Sequence, residues 1–567
     1  MEFDVAIIGG GPGGSTTGTL LKKHNPALRV AIFERETFPR DHVGESQLPG
    51  ISAVLDEMGA WDKVEAANFP IKLGGTYRWG RSRELWDVMF YPIDKFENQA
   101  RPAKYEGQRR ATAFQVDRAI YDKILLDHAR EMGCEVFENT RVTEIEREGD
   151  RVAGLKLQNG EKVTARHYVD ASGHAGILRR AMGVQVEYPT TLQNIAIWDY
   201  WQNADWAVEI GVGGTFIQVM SVGYGWIWFI PLGPTRTSIG LVIPAEYYKQ
   251  SGRRPAELYE KALKDDDRIA NLMRNAVSEN KLTTTKDWSF LASRQTGENW
   301  MLVGESGGFA DPILSAGLTI THAAGREAAF TILELDRGKV DSAWLKKQYG
   351  VRQSQRVTNH MRFADYWYTT NEQLTDLKGF IQKIASDNGL DLTPDNAWSW
   401  LAQGGFIRDD LSTGTGSFSV QAIRALGEFL SEVPAASPLN SNNVFTLDLK
   451  GASWTTLAHY EAGAVSKRDA YERDGKLLPM DGLFDLLIQI LQRERTSRGI
   501  VDALNQSFEH LRSDPMRRHH VVISALRAWE ALVLDGWVAA SHDPTQPLLD
   551  LSSEYTAVGW NKYAAES

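Results

Sequence analysis

Apolar and polar residues change their rhythm several times along the chain, and each change predicts an element. A short apolar run, Phe3 to Ile8, leads straight into Gly9-Gly10-Gly11-Pro12-Gly13-Gly14. A stretch of helical character, Ser15 to Lys23, follows, and a second β-rich run from Leu28 to Phe33 ends at Glu34. Residues 61–105 carry little helical period and read as loops and strands. A helix is predicted over Phe114–Met132, starting near Asp117, and short strands at Val142–Glu146, Val152–Leu157 and His167–Val169. Residues 190–245 alternate apolar and polar groups with period two, the mark of antiparallel strands, and Pro231–Pro234 reads as a turn. A strand at Met301–Val303 precedes a helix running from Gly317 to about Arg337. Beyond Asp341 the pattern is mostly helical. Pro434–Asn443 reads as a linker or lid loop, and helices are predicted at Gly482–Arg493, Ser497–His510 and His519–Leu534.

The class is therefore α/β. It has a Rossmann-like core within a module spanning 1–340, an antiparallel sheet region inserted at about 190–295, and a mainly helical part over 341–567. Gly9, Gly11 and Gly14 form GxGxxG between a strand and a helix, and Glu34 answers twenty residues after Gly14. The first glycine permits a tight turn, the second lets a pyrophosphate approach the backbone, and the third lets helix pack on strand. The helix start offers free N–H groups to phosphates, and Glu34 offers acceptors to ribose hydroxyls. No second GxGxxG is found for a nicotinamide nucleotide; Gly211-Val212-Gly213-Gly214 lacks the third glycine and an apolar strand before it. The late segment Met301 through Gly317, a strand delivering Glu305 before a glycine-opened helix, has the form of a second contact to a flavin, and reduced flavin is then expected from a separate NAD(P)H-dependent reductase.

Composition narrows the partners. Lys and Arg number 62 against 73 Asp and Glu, giving a net charge of −11. An acidic surface argues against nonspecific nucleic-acid or anionic-membrane binding. One cysteine, Cys134, excludes an intrachain disulfide and any cysteine-built metal cluster, and no metal site is expected. With no signal-peptide pattern and no long apolar run, the expected compartment is the cytoplasm.

Several segments together resemble the flavin-dependent halogenases, closest to the branch acting on phenols, pyrroles and carrier- or polyketide-type substrates. Trp226-Ile227-Trp228-Phe229-Ile230-Pro231 fits the family's WxWxIP signature. Phe38-Pro39-Arg40 with Gly44-Glu45-Ser46, Lys72-Leu73-Gly74-Gly75 leading to Trp79-Gly80, and Gln115-Val116-Asp117-Arg118 look like the same branch. Met301-Leu302-Val303-Gly304-Glu305 through Gly317 has the form of the late flavin contact. The looser C-terminal part is similar to a winged-helix-like lid over about 480–540.

The resemblance implies FAD-dependent halogenation in natural-product biosynthesis. Reduced FAD and O2 give a flavin hydroperoxide, chloride or bromide takes its distal oxygen, and hypohalous acid travels to a lysine beside the substrate. Lys72 matches that lysine. FAD would be held by Gly9, Gly11, Gly13, Gly14 and Glu34, with Arg40, Gly44, Glu45, Ser46, Arg118, Glu305 and Gly317. Halide would sit at Ser315, Ala316 and Gly317. Trp226, Trp228, Ile230 and Pro231 would wall the flavin off from the substrate. Glu305 stands where these flavoproteins usually carry aspartate. Leu314 stands where members acting on free tryptophan carry glutamate, so the substrate should bring its own activation, as a phenol or pyrrole does.

Other readings of the residues stay open. A flavin aromatic hydroxylase shares the fold and first motif but needs neither WxWxIP nor Lys72. A flavin reductase acting on isoprenoid double bonds would need no such lysine. A regulator working through 482–537 should show a basic face, yet Leu491–Trp537 holds seven arginines against six acids. His519 and His520 lack the further ligands a metal would need.

Overall fold

The computed structural model describes residues 1–378, apart from 81–82, 92, 98, 207–208, 211–213 and 287–288, and residues 437–560, apart from 475, 513–514 and 549–557. The first predicted unit is present: strand Glu2–Ile8, helix Pro12–His24 and strand Val30–Phe33. Strands Lys162–Asp170 and Trp300–Leu302 extend the parallel sheet on the other side. Their register is what builds a site. Ile8 lies opposite both Phe33 and Asp170, and Asp170 lies opposite Leu302. Four strands thus end at one level and deliver Gly9, Glu34, Ala171 and the 303–305 turn to one rim, the carboxyl edge at which open α/β sheets bind ligands.

The second sheet contains strands Asn194–Gln202, Gly214–Val222, Gly225–Pro231 and Arg236–Pro244. It is not confined to 190–295, as the sequence suggested. Strand Ile71–Arg78 pairs in parallel with Gly214–Val222, and Trp86–Met89 pairs with Ile71–Arg78. A partner some 140 residues away leaves no local pattern, which is why periodicity missed it. Alternation gives this sheet two faces. Ile227 and Phe229 pack outward beneath helix Pro255–Asp265, while Trp226, Trp228 and Ile230 join Trp198, Ile217 and Val219 on the inner face.

Two further helices, Gly50–Met58 and Trp61–Ala66, fall where the sequence showed little helical period or none was predicted. Helix Ser342–Thr369 ties the sheets together. Its Tyr349 hydroxyl donates to the Leu302 carbonyl at 2.7 Å, and its far end carries Tyr368 to the second sheet. The C-terminal part is less purely helical than expected. Strands Ser453–Glu461, Ala464–Arg473 and Lys476–Pro479 form an antiparallel sheet. That sheet docks on helix Gly317–Arg337, where Arg326 and Arg337 donate to the Tyr460 and Gly463 carbonyls. Helices Gly482–Leu491, Ser497–Ser507 and Pro515–Leu534 share a core around Leu487, Ile500 and Trp529 with the paired strands Val444–Leu447 and Val538–Ser541. Within the predicted linker, Pro438–Ser441 is a short helix; 434–436 lie outside the described residues. Among the described residues no helix is long and apolar enough to cross a membrane.

Candidate active site

The rim opens into a cavity of about 480 Å³. Its lining runs from Gly9, Gly11, Gly13 and Glu34 past Arg40, Gly44, Glu45, Ser46 and Arg118 to Glu305, Ser315 and Gly317, and on to Trp226, Trp228 and Ile230. Gly14, Lys72, Pro231 and Ala316 do not line it.

The glycine turn is shaped for a cofactor that approaches the backbone. Gly9 has φ +104°, and a Cβ there would stand 2.3 Å from the Ala171 carbonyl oxygen. A Cβ at Gly14 would stand 2.0 Å from the Gly9 carbonyl oxygen. At Gly11 the nearest atom would be Arg40 Nη2 at 3.6 Å, so this face is open toward a guanidinium. Glu34 accepts from the Gly10 N–H at 2.7 Å and from the Glu36 N–H at 3.0 Å. A carboxylate has about four lone-pair sites, so it keeps acceptors for ribose hydroxyls. An open glycine cradle beside an arginine, with a carboxylate one strand away, fits a dinucleotide such as FAD.

Deeper in, Arg118 grips Asp122 bidentately at 2.7 and 2.9 Å and donates to the Val43 and Gly44 carbonyls. That fixes the 44–46 turn against the cavity. Burial works against the charge on Asp122, yet Arg118 and Arg40 hold its carboxyl below the usual range. Glu45 goes the other way: burial pushes it up to about 7, against the Tyr200 hydroxyl that donates to it at 3.0 Å and the charge of Arg118. Burial also raises Glu305, with Arg118 opposing. Neither Asp122 nor Tyr200 was signalled by a motif, although Asp122 stands one helical turn after Arg118.

On the inner sheet face, the Trp226 and Trp228 ring centroids are 6.1 Å apart. Each indole N–H has a buried acceptor, Tyr368 Oη at 2.7 Å for Trp226 and Ser238 Oγ at 3.1 Å for Trp228. The Tyr368 hydroxyl lies 3.4 Å from Asp311 Oδ1, and Asn194 Nδ2 bridges both, at 3.1 Å to Asp311 Oδ2 and 3.3 Å to Tyr368 Oη. Burial lifts the Asp311 carboxyl to about 7.

Asp311 also starts the turn that leads to the predicted halide residues, accepting from the Ile313 N–H at 2.9 Å. Ser315 has φ +55°, a left-handed conformation that is unusual for serine, and its N–H is taken by the Pro312 carbonyl at 3.0 Å. Of the three predicted residues, Ser315 therefore has no amide to give an anion. Ala316 caps helix Gly317–Arg337, whose first amides have no intrahelical acceptor. The Leu314 side chain lies outside the described residues.

Lys72 lies on strand Ile71–Arg78 with only 2% of its surface exposed. Its cross-strand partner is Thr215, two residues before the cavity-wall residue Ile217. The register shifts at this point, where Gly74 rather than Leu73 opposes Phe216; such a bulge re-aims side chains. The ammonium has no ion pair or hydrogen bond among the described residues, and its Nζ stands 5.2 Å from the Phe90 ring centroid. Burial alone pulls it down to about 7.

The tryptophan halogenase family model matches residues 4–105 and 93–377. A tryptophan 2-halogenase from Chondromyces crocatus is 33% identical over 60% of this chain and 62% of its own. A pyrrole-2-carbonyl peptidyl-carrier-protein chlorinase from Pseudomonas fluorescens is 30% identical over 65% of this chain and 84% of its own. Among solved structures, the flavin-dependent halogenase CmlS superposes with a TM-score of 0.71, covering 98% of this chain and 99% of its own at 23% identity. The chain thus spans less than two thirds of the length of the first of these relatives and most of the second.

Proposed function

Because the chain belongs to the tryptophan halogenase family of flavin-dependent halogenases, we propose that it exchanges an aromatic C–H for a carbon–halogen bond on an electron-rich ring such as a phenol or pyrrole, with chloride as the halide. Bound FAD, supplied reduced by a separate reductase, would provide with O2 the two-electron oxidation that makes halide electrophilic. The ring hydrogen leaves as a proton and the oxygen atoms leave as water.

The chain's own residues divide the work. The glycine turn, Arg40 and Glu34 bind the dinucleotide, and Arg118 with Glu305 orients its reactive end. Halide sits on the free amides of Ala316 and Gly317. Trp226 and Trp228 keep the organic substrate from the cofactor face, so oxygen is not transferred directly to the ring. Lys72, outside the cavity lining, would receive the halogen. A buried amine held near neutrality can donate a hydrogen bond to hypohalous acid or carry the halogen itself. Leu314 supplies no carboxylate, so the ring must be activated by its own hydroxyl or nitrogen. The relative that chlorinates a carrier-bound pyrrole is in keeping with such a ring, free or tethered to a carrier.

The observation that carries the reading is Lys72, a buried ammonium with no counter-charge among the described residues, on a strand that pairs with the one carrying the cavity residue Ile217. In Lys72→Met, halogenated product should fall by about 10²-fold or more while oxidation of reduced FAD continues. A variant that halogenates as well as wild type overturns the assignment.

A further inference from the structure

Away from the cavity, helix Trp61–Ala66, the turn Gly107–Arg110 and Arg101 bring together two guanidinium groups and one carboxylate. Arg109 and Glu65 are 0% exposed, and the Arg101 side chain is 8% exposed. Arg109 Nε lies 2.9 Å from Glu65 Oε1, and Arg101 Nε donates to Glu65 Oε2. Arg101 Nη1 donates to the Phe69 carbonyl at 2.7 Å. Arg109 Nε, Nη1 and Nη2 and Arg101 Nη2 are buried and have no acceptor among the described residues, and Glu65 Oε1, although close to Arg109 Nε, accepts no hydrogen bond there.

The account does not balance. Two positive groups share one carboxylate: Glu65 favours the charge on Arg109, while Arg101 opposes it. A buried, unpaired guanidinium is costly, and arginine cannot shed its proton to escape that cost. One more negative charge would neutralise the cluster and offer an acceptor to the four orphaned nitrogens. With Arg109 0% exposed and the Arg101 side chain 8% exposed, the cluster faces little solvent, which favours a small inorganic anion over an organic acid. We propose that Arg101 and Arg109 form an internal site for a small monovalent inorganic anion, chloride or bromide, separate from the halide site of the cavity. The turn that carries Arg109 runs directly into Ala113–Phe114, the strand that pairs with Ile71 and Lys72. The bound anion therefore fastens the segment lying against the lysine strand. The site is independent of the proposed reaction.

Crystals of the full wild-type chain in sodium bromide, measured at the bromine absorption edge, test it. An anomalous peak within hydrogen-bond reach of Arg109 Nη1 or Nη2 and Arg101 Nη2 is expected. A water, or no peak, overturns the site. In solution, replacing gluconate by chloride at constant ionic strength should raise Tm by about 1 °C per tenfold rise in chloride. Arg109→Met should reduce that dependence to what the cavity halide amides contribute. A dependence as steep in Arg109→Met as in wild type overturns the proposal. Should the variant fail to fold, the bromide experiment on wild type decides alone.

Discussion

The indole N–H of Trp226 donates to the phenol oxygen of Tyr368 at 2.7 Å, joining a strand of the second sheet to a helix 142 residues further on. The hydroxyl of Tyr368 in turn faces Asp311, which starts the turn carrying Ser315. Tyr368 is thus a positioning residue that ties the orientation of Trp226 to the turn before the amides proposed to hold halide. Tyr368→Phe leaves the Trp226 N–H buried without its acceptor and should cost about 1–3 kcal/mol in urea unfolding. If Trp226 is the barrier proposed, hydrogen peroxide released per halogenated product should also rise. Unchanged coupling would leave Tyr368 a purely structural role.

The same network predicts a pH dependence. Burial raises Asp311 to about 7, above its ordinary carboxylate value. Between about pH 4 and 7 the native state keeps a proton that the unfolded chain has released, so this group's contribution falls as pH rises through that window. Asp311→Asn keeps an oxygen for the Ile313 N–H and has no proton to lose. It should match wild type near pH 4 and exceed it at pH 8, by up to about 4 kcal/mol. Equal unfolding midpoints at both pH values would refute this.

Lys72 works with the opposite sign. Its folded pKa of about 7 lies below the ordinary lysine value. Between about pH 7 and 10.5 the unfolded chain holds a proton that the native state lacks, so this contribution to stability rises with pH. Below pH 7 both states are protonated and the penalty is constant. Lys72→Met should therefore stabilise the protein at pH 7, by as much as about 5 kcal/mol, with the gain vanishing toward pH 10.5. Thermal unfolding across that range checks it, and a destabilised variant at pH 7 would contradict it.

The glycines separate fold from binding. Gly14→Ala puts a methyl 2.0 Å from the Gly9 carbonyl oxygen and should prevent soluble expression. Gly11→Ala meets nothing closer than Arg40 Nη2 at 3.6 Å and should fold normally. Its methyl would stand on the face proposed to receive the cofactor, so FAD titration should show weakened binding. Normal affinity in Gly11→Ala would remove the cofactor from this face.

Much of this architecture is legible in the sequence because its determinants are local. The strand–glycine–helix unit, the Asp117 cap of helix Arg118–Glu131 and the two faces of Gly225–Pro231 each follow from residues a few positions apart. What escapes is non-local. The parallel pairing of Ile71–Arg78 with Gly214–Val222 depends on a partner far along the chain. The contact of Tyr200 with Glu45 and the Trp226–Tyr368–Asp311 chain likewise join residues with no shared motif. The docked sheet over 453–479 escapes because its central strand, Ala464–Arg473, carries five charged residues, which blur the period-two signal.

The most direct test is mass spectrometry of products from the protein supplied with FAD, a flavin reductase with NADH, O2, bromide and a panel of phenols and pyrroles, run beside Lys72→Met. A bromine isotope doublet is expected with wild type and is lost in the variant while reduced flavin is still consumed. A product heavier by one oxygen and lacking halogen, or halogenation undiminished in Lys72→Met, would contradict it.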